Sequence, residues 1–315
     1  MPIRSRLAAL FVLSALLVAA CGAGTLPTPA PSADGSVGYA GWPPGTSYEL
    51  IPIPVSSELV VGQNRLLVNL IDTSNQSLAD PGRPVEVRLY DLAADAGQPA
   101  TTAETTYMPT IEGRPGLYRA QISFASAGDW GLEAITTEAD GSRRTGRMIF
   151  TVRQSGSTPP IGGQAPASDS PTATDAAGIA AISTDDDPDP DFYTTSIADA
   201  VAAGRPFVVA FATPAFCSTA TCGPALDLVK SVATDYKDSV TFINVEPYQL
   251  EEVDGHLQPV LSADNLPIPV PAVNEWGLPT EPYIFVVDGE GKISAKFEGM
   301  AAADELRAAL DAVTP

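Results

Sequence analysis

Two hydrophobic patterns divide the chain. Between about residues 48 and 153, apolar and polar residues alternate with a period of two, as in Val85, Val87 and Leu89. Segment 116–124 alternates in the same way, and further strands are predicted at 65–71, 130–136 and 147–152, separated by glycine- and proline-containing turns. No helical period intervenes. This pattern is typical of an antiparallel β-sandwich of immunoglobulin-like size.

Residues 192–315 follow a different pattern, in which helices alternate with continuous apolar runs. Helices are predicted over 196–203, 225–236 and 301–313, strands over 207–213 and 240–247, and a hairpin over 282–299. Thr194 or Thr195 is the candidate cap of the first helix. Because continuous apolar strands are buried on both faces, this order predicts an α/β fold.

Two segments lack either pattern and are rich in proline, glycine, serine and threonine. They predict a flexible tether over 21–47 and a linker over 154–191, which ends in the acidic string STDDDPDPD. The expected organisation is therefore a signal segment over 1–20, the tether, a β-sandwich over 48–153, the linker, and an α/β domain over 192–315.

The N-terminus carries an export signal. Arg4 and Arg6 precede an apolar run from Leu7 to Ala20, which is shorter than the ~20 residues of a membrane span. The string LVAAC, which ends at Cys21, resembles the lipobox of bacterial lipoproteins. The resemblance implies a lipid-modified Cys21 and a protein anchored at the extracytoplasmic face of the cell membrane. The alternative is an ordinary signal peptide with a chance cysteine.

Charge and cysteine content narrow the function. The formal net charge of −21 repels nucleic acid, so nucleic-acid binding is not expected. Of the three cysteines, Cys21 is assigned to lipid, which leaves Cys217 and Cys222 as a close pair. Segment 48–153 contains no cysteine or histidine, and it is interpreted as a partner- or substrate-binding module or as a spacer.

The cysteine pair lies among strings that resemble the thioredoxin-like superfamily, in particular its membrane-tethered thiol–disulfide oxidoreductases. The strings are VVAFATPAFC, SVTFINVE and EWGLPTEPYIFVVDGEGKI. The resemblance implies that Cys217 is the nucleophile at a helix N-terminus and Cys222 the resolving thiol. It also implies a cis-proline at Pro282, with Pro279 as the competitor. Glu281 is then either an acid acting on the thiols or an exposed loop acid. The string GLYRAQISFASAGDWGLEAIT of the first domain resembles the small β-sandwiches of the YtkA-like family.

Several residues of this chain differ from those that the thioredoxin-like superfamily has at the corresponding positions. Four residues separate the cysteines, as in the peroxiredoxin Q family, but Pro214 and Pro282 occupy the positions of that family's threonine and arginine, so peroxide reduction is not expected. Ala210 stands where thioredoxin has a buried acid. On an intact helix, residues five apart have Cα atoms ~8–9 Å from each other, whereas a disulfide needs less than ~7 Å. An irregular or unwound first helical turn is therefore expected.

These observations predict an extracytoplasmic thiol–disulfide oxidoreductase that acts on thiols and disulfides of other exported proteins and needs no cofactor or metal. The direction of electron flow stays open. The alternative is a non-enzymatic copper- or partner-binding assembly factor, because thiolates select copper(I). The Sco family of copper chaperones places its histidine near position 280, which is Thr280 here, so His256 is interpreted as a surface histidine. A purely structural disulfide is the third interpretation.

Overall fold

A computed structural model describes residues 39, 41–42, 50–138 and 140–314. The predicted signal segment, Cys21 and most of the predicted tether lie outside these residues. The strands of the first part are β1 Ile51–Pro54, β2 Gly62–Ile71, β3 Val85–Asp91, β4 Thr101–Glu104, β5 Thr106–Met108, β6 Leu117–Phe124, β7 Gly128–Thr137 and β8 Arg143–Val152. The later strands are β9 Phe207–Phe211, β10 Thr241–Val245, β11 Leu250–Val253, β12 His256–Pro259, β13 Tyr283–Val287 and β14 Ile293–Glu298. The helices are α1 Ala176–Ile182, α2 Ile197–Ala203, α3 Cys222–Ala233, α4 Pro271–Glu275 and α5 Ala303–Asp311.

The first eight strands form a β-sandwich of two antiparallel sheets, with strand orders β1-β2-β6-β5 and β4-β3-β7-β8. The alternation predicted for β3 is confirmed, since Val85, Val87 and Leu89 are buried between the sheets. Trp130 and Phe124 pack edge to face in the same core. The short strands β1, β4 and β5 carry too few alternating residues to be predicted from the sequence.

The later strands form a mixed sheet in the order β10-β9-β13-β14, in which only β9 and β10 are parallel. One face of this sheet packs on α3 and α5, and the other on α2 and α4. The cap of α2 is Ser196, whose hydroxyl accepts the Asp199 N–H, and not Thr194 or Thr195 as predicted. The polar insertion that contains His256 forms the hairpin β11–β12.

The segment predicted as a linker is packed rather than extended. It contains α1, whose N-cap is Asp175, and a 3₁₀ helix at Pro190–Tyr193. Ile179 and Tyr193 are buried, and the Ala173 N–H donates to the Tyr193 carbonyl. The sequence predicted an extended linker because acids and prolines dominate residues 183–191. The short apolar segment that forms α1 immediately precedes them.

The two parts of the chain share a core. Leu67 and Met108 of the sandwich belong to the same buried cluster as Cys222, Val229 and Leu306. The expectation of a distinct α/β domain is therefore corrected: the described chain is mostly antiparallel β-sheet with five α-helices, and the core on one side of the later sheet includes sandwich residues. Within the described residues, no helix has the length and apolar character needed to cross a membrane.

Candidate functional site

Cys217 and Cys222 form a disulfide bond, with their Cα atoms 5.8 Å apart. Cys217 lies in the loop after β9, and α3 begins only at Cys222. Because Cys217 precedes the helix, the Cα–Cα distance of ~8–9 Å for residues five apart on a helix does not apply to this pair. Residues 218–220 form a turn and a bend before the helix starts, so the irregular backbone expected between the two cysteines is confirmed.

The two sulfur atoms have different surroundings. Cys222 is 0 % exposed, whereas Cys217 is half-buried. The backbone N–H of Cys222 donates to Cys217 Sγ at 3.2 Å, and Thr219 Oγ1 lies 3.4 Å from the same sulfur. The first N–H groups of a helix have no partner inside the helix. The start of α3 therefore polarises the Cys217 sulfur although Cys217 lies outside the helix.

The loop between the cysteines has an unusual backbone at Ala220, whose φ is +61°. This left-handed conformation is uncommon for a residue that carries a Cβ atom. The hydroxyl groups of Thr219 and Thr221 lie 2.6 Å apart on either side of it. The loop between the cysteines thus holds Ala220 in an uncommon backbone conformation in the disulfide form.

Glu281 and Pro282 lie next to the cysteine loop. The Glu281 carboxylate accepts the backbone N–H of Ser218 at 3.1 Å and its hydroxyl at 2.8 Å. Both Glu281 and Pro282 are buried, and the peptide bond between them is cis. Burial and the nearby Glu281 carboxylate raise the pKa of Tyr248 to about 12. Glu281 is thus a buried acid and not an exposed loop residue.

A second buried acid, Glu246, was not singled out in the sequence. One of its oxygens accepts the N–H and hydroxyl of Thr184 at 2.7 and 2.5 Å. Burial raises the pKa of Glu246, and bonds from Thr184 and Thr213 lower it only in part. In the sequence, the apolar run that predicts this strand ends with the polar residues Asn244 and Glu246. Polar residues in such a run could have indicated a buried acid at this position.

The site brings the Glu281 carboxylate next to the loop that holds the two sulfur atoms. Among the described residues, no lysine, arginine or histidine bonds to the disulfide or to Glu281, and no group of three or more His, Cys, Asp or Glu is placed to hold a metal ion. His256 is exposed on the β11–β12 hairpin and belongs to no such group. The structure therefore brings together Cys217, Cys222, Glu281 and Pro282, while Cys21 lies outside the described residues.

Comparison with known proteins gives little for this chain. No family model matches it, and neither does any curated protein. Among solved structures it is similar to CopC from Methylosinus trichosporium OB3b, at 11 % identity and a TM-score of 0.22 over 33 % of this chain and 93 % of that one. It is also similar to the PmoD soluble domain from Methylocystis sp. ATCC 49242 (Rockwell), at 16 % identity and a TM-score of 0.18 over 30 % and 75 % of the two chains. TM-scores this low assign neither a fold nor a function.

The family assignments made from the sequence are corrected by these findings. No thioredoxin-like or YtkA-like family model matches this chain, and its described residues form mostly antiparallel β-sheet. The strings that suggested the families are short: an apolar strand, a cysteine pair and a proline before a hairpin. Elements of this kind recur in unrelated folds, so they locate a site without identifying a family.

Proposed function

We propose that this protein is a non-enzymatic assembly factor whose reduced Cys217 and Cys222 bind copper(I). The observation that carries the proposal is the charge around the pair. Two sulfur atoms meet in a partly buried loop beside the Glu281 carboxylate, and none of the described cationic side chains contacts them. Two thiolates formed there have no cationic side chain bonded to them among the described residues, and a bound cation supplies the missing charge.

The chemistry of sulfur favours copper(I) over harder cations, because soft thiolate ligands select soft ions. Reduction of the disulfide takes two electrons and two protons from a dithiol, which itself becomes a disulfide. Binding of copper(I) by both sulfurs then releases the two thiol protons. Two thiolates suffice for this ion, so the lack of a third ligand among the described residues does not oppose the proposal.

An anaerobic titration tests the proposal. The full chain carrying Cys21→Ser, which removes the third thiol, is reduced and titrated against a chromophoric copper(I) chelator. We expect one copper(I) per chain, and loss of at least tenfold in affinity in Cys217→Ser and in Cys222→Ser. His256→Ala is the matched control and should bind as tightly as the parent. Undiminished binding by either cysteine variant would overturn the proposal.

Thiol–disulfide exchange is the second candidate function, favoured by the disulfide itself and by the greater exposure of Cys217. In that function Cys217 attacks a partner disulfide, a mixed disulfide forms as a partner thiolate leaves, and Cys222 resolves it. Changing Cys222 to Ala should then trap partner proteins covalently on Cys217. Covalent capture without copper(I) uptake by the parent would favour exchange over copper binding.

We also propose that the protein works outside the cytoplasm, anchored through Cys21. The signal sequence and lipobox support this location, as does the disulfide, since disulfides persist in oxidising compartments. Cys21→Ser should release the protein from the membrane fraction, whereas Ser36→Ala, in the same predicted tether, should not. Retention of the Cys21→Ser variant at the membrane would contradict the anchor.

A further inference from the structure

A cleft of about 680 Å³ lies between the outward face of the sandwich sheet β1-β2-β6-β5 and the later elements β14 and α5. This volume is within the range of ligand pockets. Five consecutive residues of β14, 294–298, line the cleft. Because successive side chains of a strand point to opposite faces of its sheet, such a run lines one cleft only where the edge of the strand faces it. The cleft therefore gives access to the outer edge of β14.

Strand β14 bonds to β13 through every second residue. The Gly299 N–H donates to the Pro282 carbonyl, and in the same register Phe297 and Ala295 face β13. In an antiparallel pair, the residues that alternate with these direct their N–H and C=O groups away from the partner strand. The outer edge of β14 therefore presents the backbone groups of the intervening residues.

These outward groups belong to Lys296 and Glu298, and no described residue bonds to any of the four. Only Ile293, at the start of the strand, bonds to backbone on this side, at residues 162–163. The Lys296 side chain leaves the edge open, since its ammonium lies above the face of the sheet and bonds to Thr158 Oγ1 at 2.7 Å. Open N–H and C=O groups of an edge strand are a template for another strand.

Lys296 also lacks an acidic partner. Its ammonium bonds to the Thr158 hydroxyl and lies 3.4 Å from the Pro159 carbonyl, and it forms no ion pair with a described acid. Burial lowers the pKa of Lys296, and the charges of Glu58 and Glu298 offset this only in part. A carboxylate placed beside Lys296 would stabilise its charged form. The edge is therefore complementary in charge to a strand that carries an acidic residue.

We propose that β14 binds an extended peptide segment of a partner protein, in which acidic and apolar residues alternate, as a fifth strand of the later sheet. The N–H and C=O groups of the added strand bond to those of Lys296 and Glu298. Its acidic side chain lies beside Lys296, and its apolar side chains, on the opposite face, pack on Phe297 and on Ala309 of α5. This proposal does not depend on copper binding.

Fluorescence anisotropy with the oxidised Cys21→Ser chain tests the proposal. The ligand is a fluorescently tagged peptide, Ser-Val-Ser-Val-Glu-Val-Ser, which carries its valines on one face and its glutamate on the other. It should bind, and the same peptide with lysine in place of glutamate should bind at least tenfold more weakly. Lys296→Gln should lower the affinity for the glutamate peptide at least fivefold, whereas Lys292→Gln, just before β14 and paired with Glu290, should leave it unchanged. No binding, or equal effects of the two substitutions, would overturn the proposal.

N-methylation of the peptide tests strand addition without changing the protein. An added strand turns one alternate set of its N–H groups toward β14 and the other set away from it. Methyl groups on one set should abolish binding, and methyl groups on the other should leave it intact. Tolerance of both modifications, or loss with both, would overturn the proposal.

Amide hydrogen exchange, followed by NMR, locates the bound peptide. The N–H groups of Lys296 and Glu298 should exchange at least tenfold more slowly in its presence, while those of the β11–β12 hairpin should be unaffected. Unchanged exchange at both residues would overturn the proposal. A chain that elutes as a dimer and excludes the peptide would assign this edge to a second copy, which also overturns it.

Discussion

Arg65 of strand β2 and Glu305 of α5 form an ion pair with two hydrogen bonds, which connects the β-sandwich to the C-terminal part of the chain. Arg65 Nε and Nη2 lie 2.8 and 2.7 Å from the two carboxylate oxygens, and both side chains are buried. Arg65 Nη2 also donates to the Met300 carbonyl at 3.0 Å. Met300 follows Gly299, whose N–H donates to the carbonyl of Pro282. This pair therefore joins the sandwich to the segment beside the cysteine site.

Removal of this pair should destabilise the protein. We expect Arg65→Met to lower the free energy of unfolding by about 3 kcal/mol, because it leaves Glu305 buried with only Arg119 nearby. Arg307→Met, which breaks an exposed pair with Asp235, is the control and should cost less than about 1 kcal/mol. Chemical denaturation measures both. If both variants lost less than about 1 kcal/mol of unfolding free energy, the buried ion pair would not contribute to stability as we expect.

The same ion pair predicts a dependence on pH. Burial alone raises the pKa of Glu305, but the bond from Arg65 and the charges of Arg65 and Arg119 outweigh it, so the pKa lies below the ordinary 4.5. A lowered folded-state pKa gives stability that is complete above the unfolded-state pKa and is lost as pH falls through the folded-state value. The stability difference between wild type and Glu305→Gln should be constant above about pH 5 and shrink below pH 4.5. A difference that grows on acidification would contradict this sign.

The left-handed Ala220 predicts a shift in redox equilibrium. If reduction opens the loop, Ala220→Gly stabilises the disulfide form by about 1 kcal/mol, since glycine adopts φ near +60° without a steric penalty. The midpoint potential should then become more negative by about 20 mV. Ala215→Gly, in the same loop, is the control and should shift it less. An unchanged potential in Ala220→Gly would mean that residue 220 keeps this conformation in the dithiol.

The two thiols should differ in reactivity after reduction. Cys217 is half-buried and receives the Cys222 N–H, whereas Cys222 is fully buried, so iodoacetamide should modify Cys217 at least tenfold faster at neutral pH. Mass spectrometry of peptides after timed alkylation measures the two rates. Equal rates, or faster modification of Cys222, would reverse the roles given to the two sulfurs.

Local patterning predicted the strands well. The alternation of Val85, Val87 and Leu89 fixed the inward face of β3, and the apolar run beginning at Phe207 predicted β9. These predictions succeeded because side-chain periodicity depends only on neighbours in the sequence. Family resemblance failed because it relied on short strings.

The geometry of the site could not be predicted from local sequence patterns. The loop that closes between Cys217 and Cys222 depends on where α3 begins, and the sequence predicted that start at Ala225 rather than Cys222. The approach of Glu246 to Thr184 joins residues 62 positions apart. Long-range contacts of this kind follow from the packing of whole elements, so the sequence indicated the cysteine pair and Glu281 but not Glu246.

X-ray absorption at the copper edge of the reduced, copper(I)-loaded Cys21→Ser chain tests the central claim most directly. The account predicts a first shell of two sulfur atoms and no nitrogen or oxygen, lost when Cys217 or Cys222 is changed to Ser. A first shell of nitrogen or oxygen, or a sulfur shell that persists in both cysteine variants, would show that copper(I) does not bind at this pair.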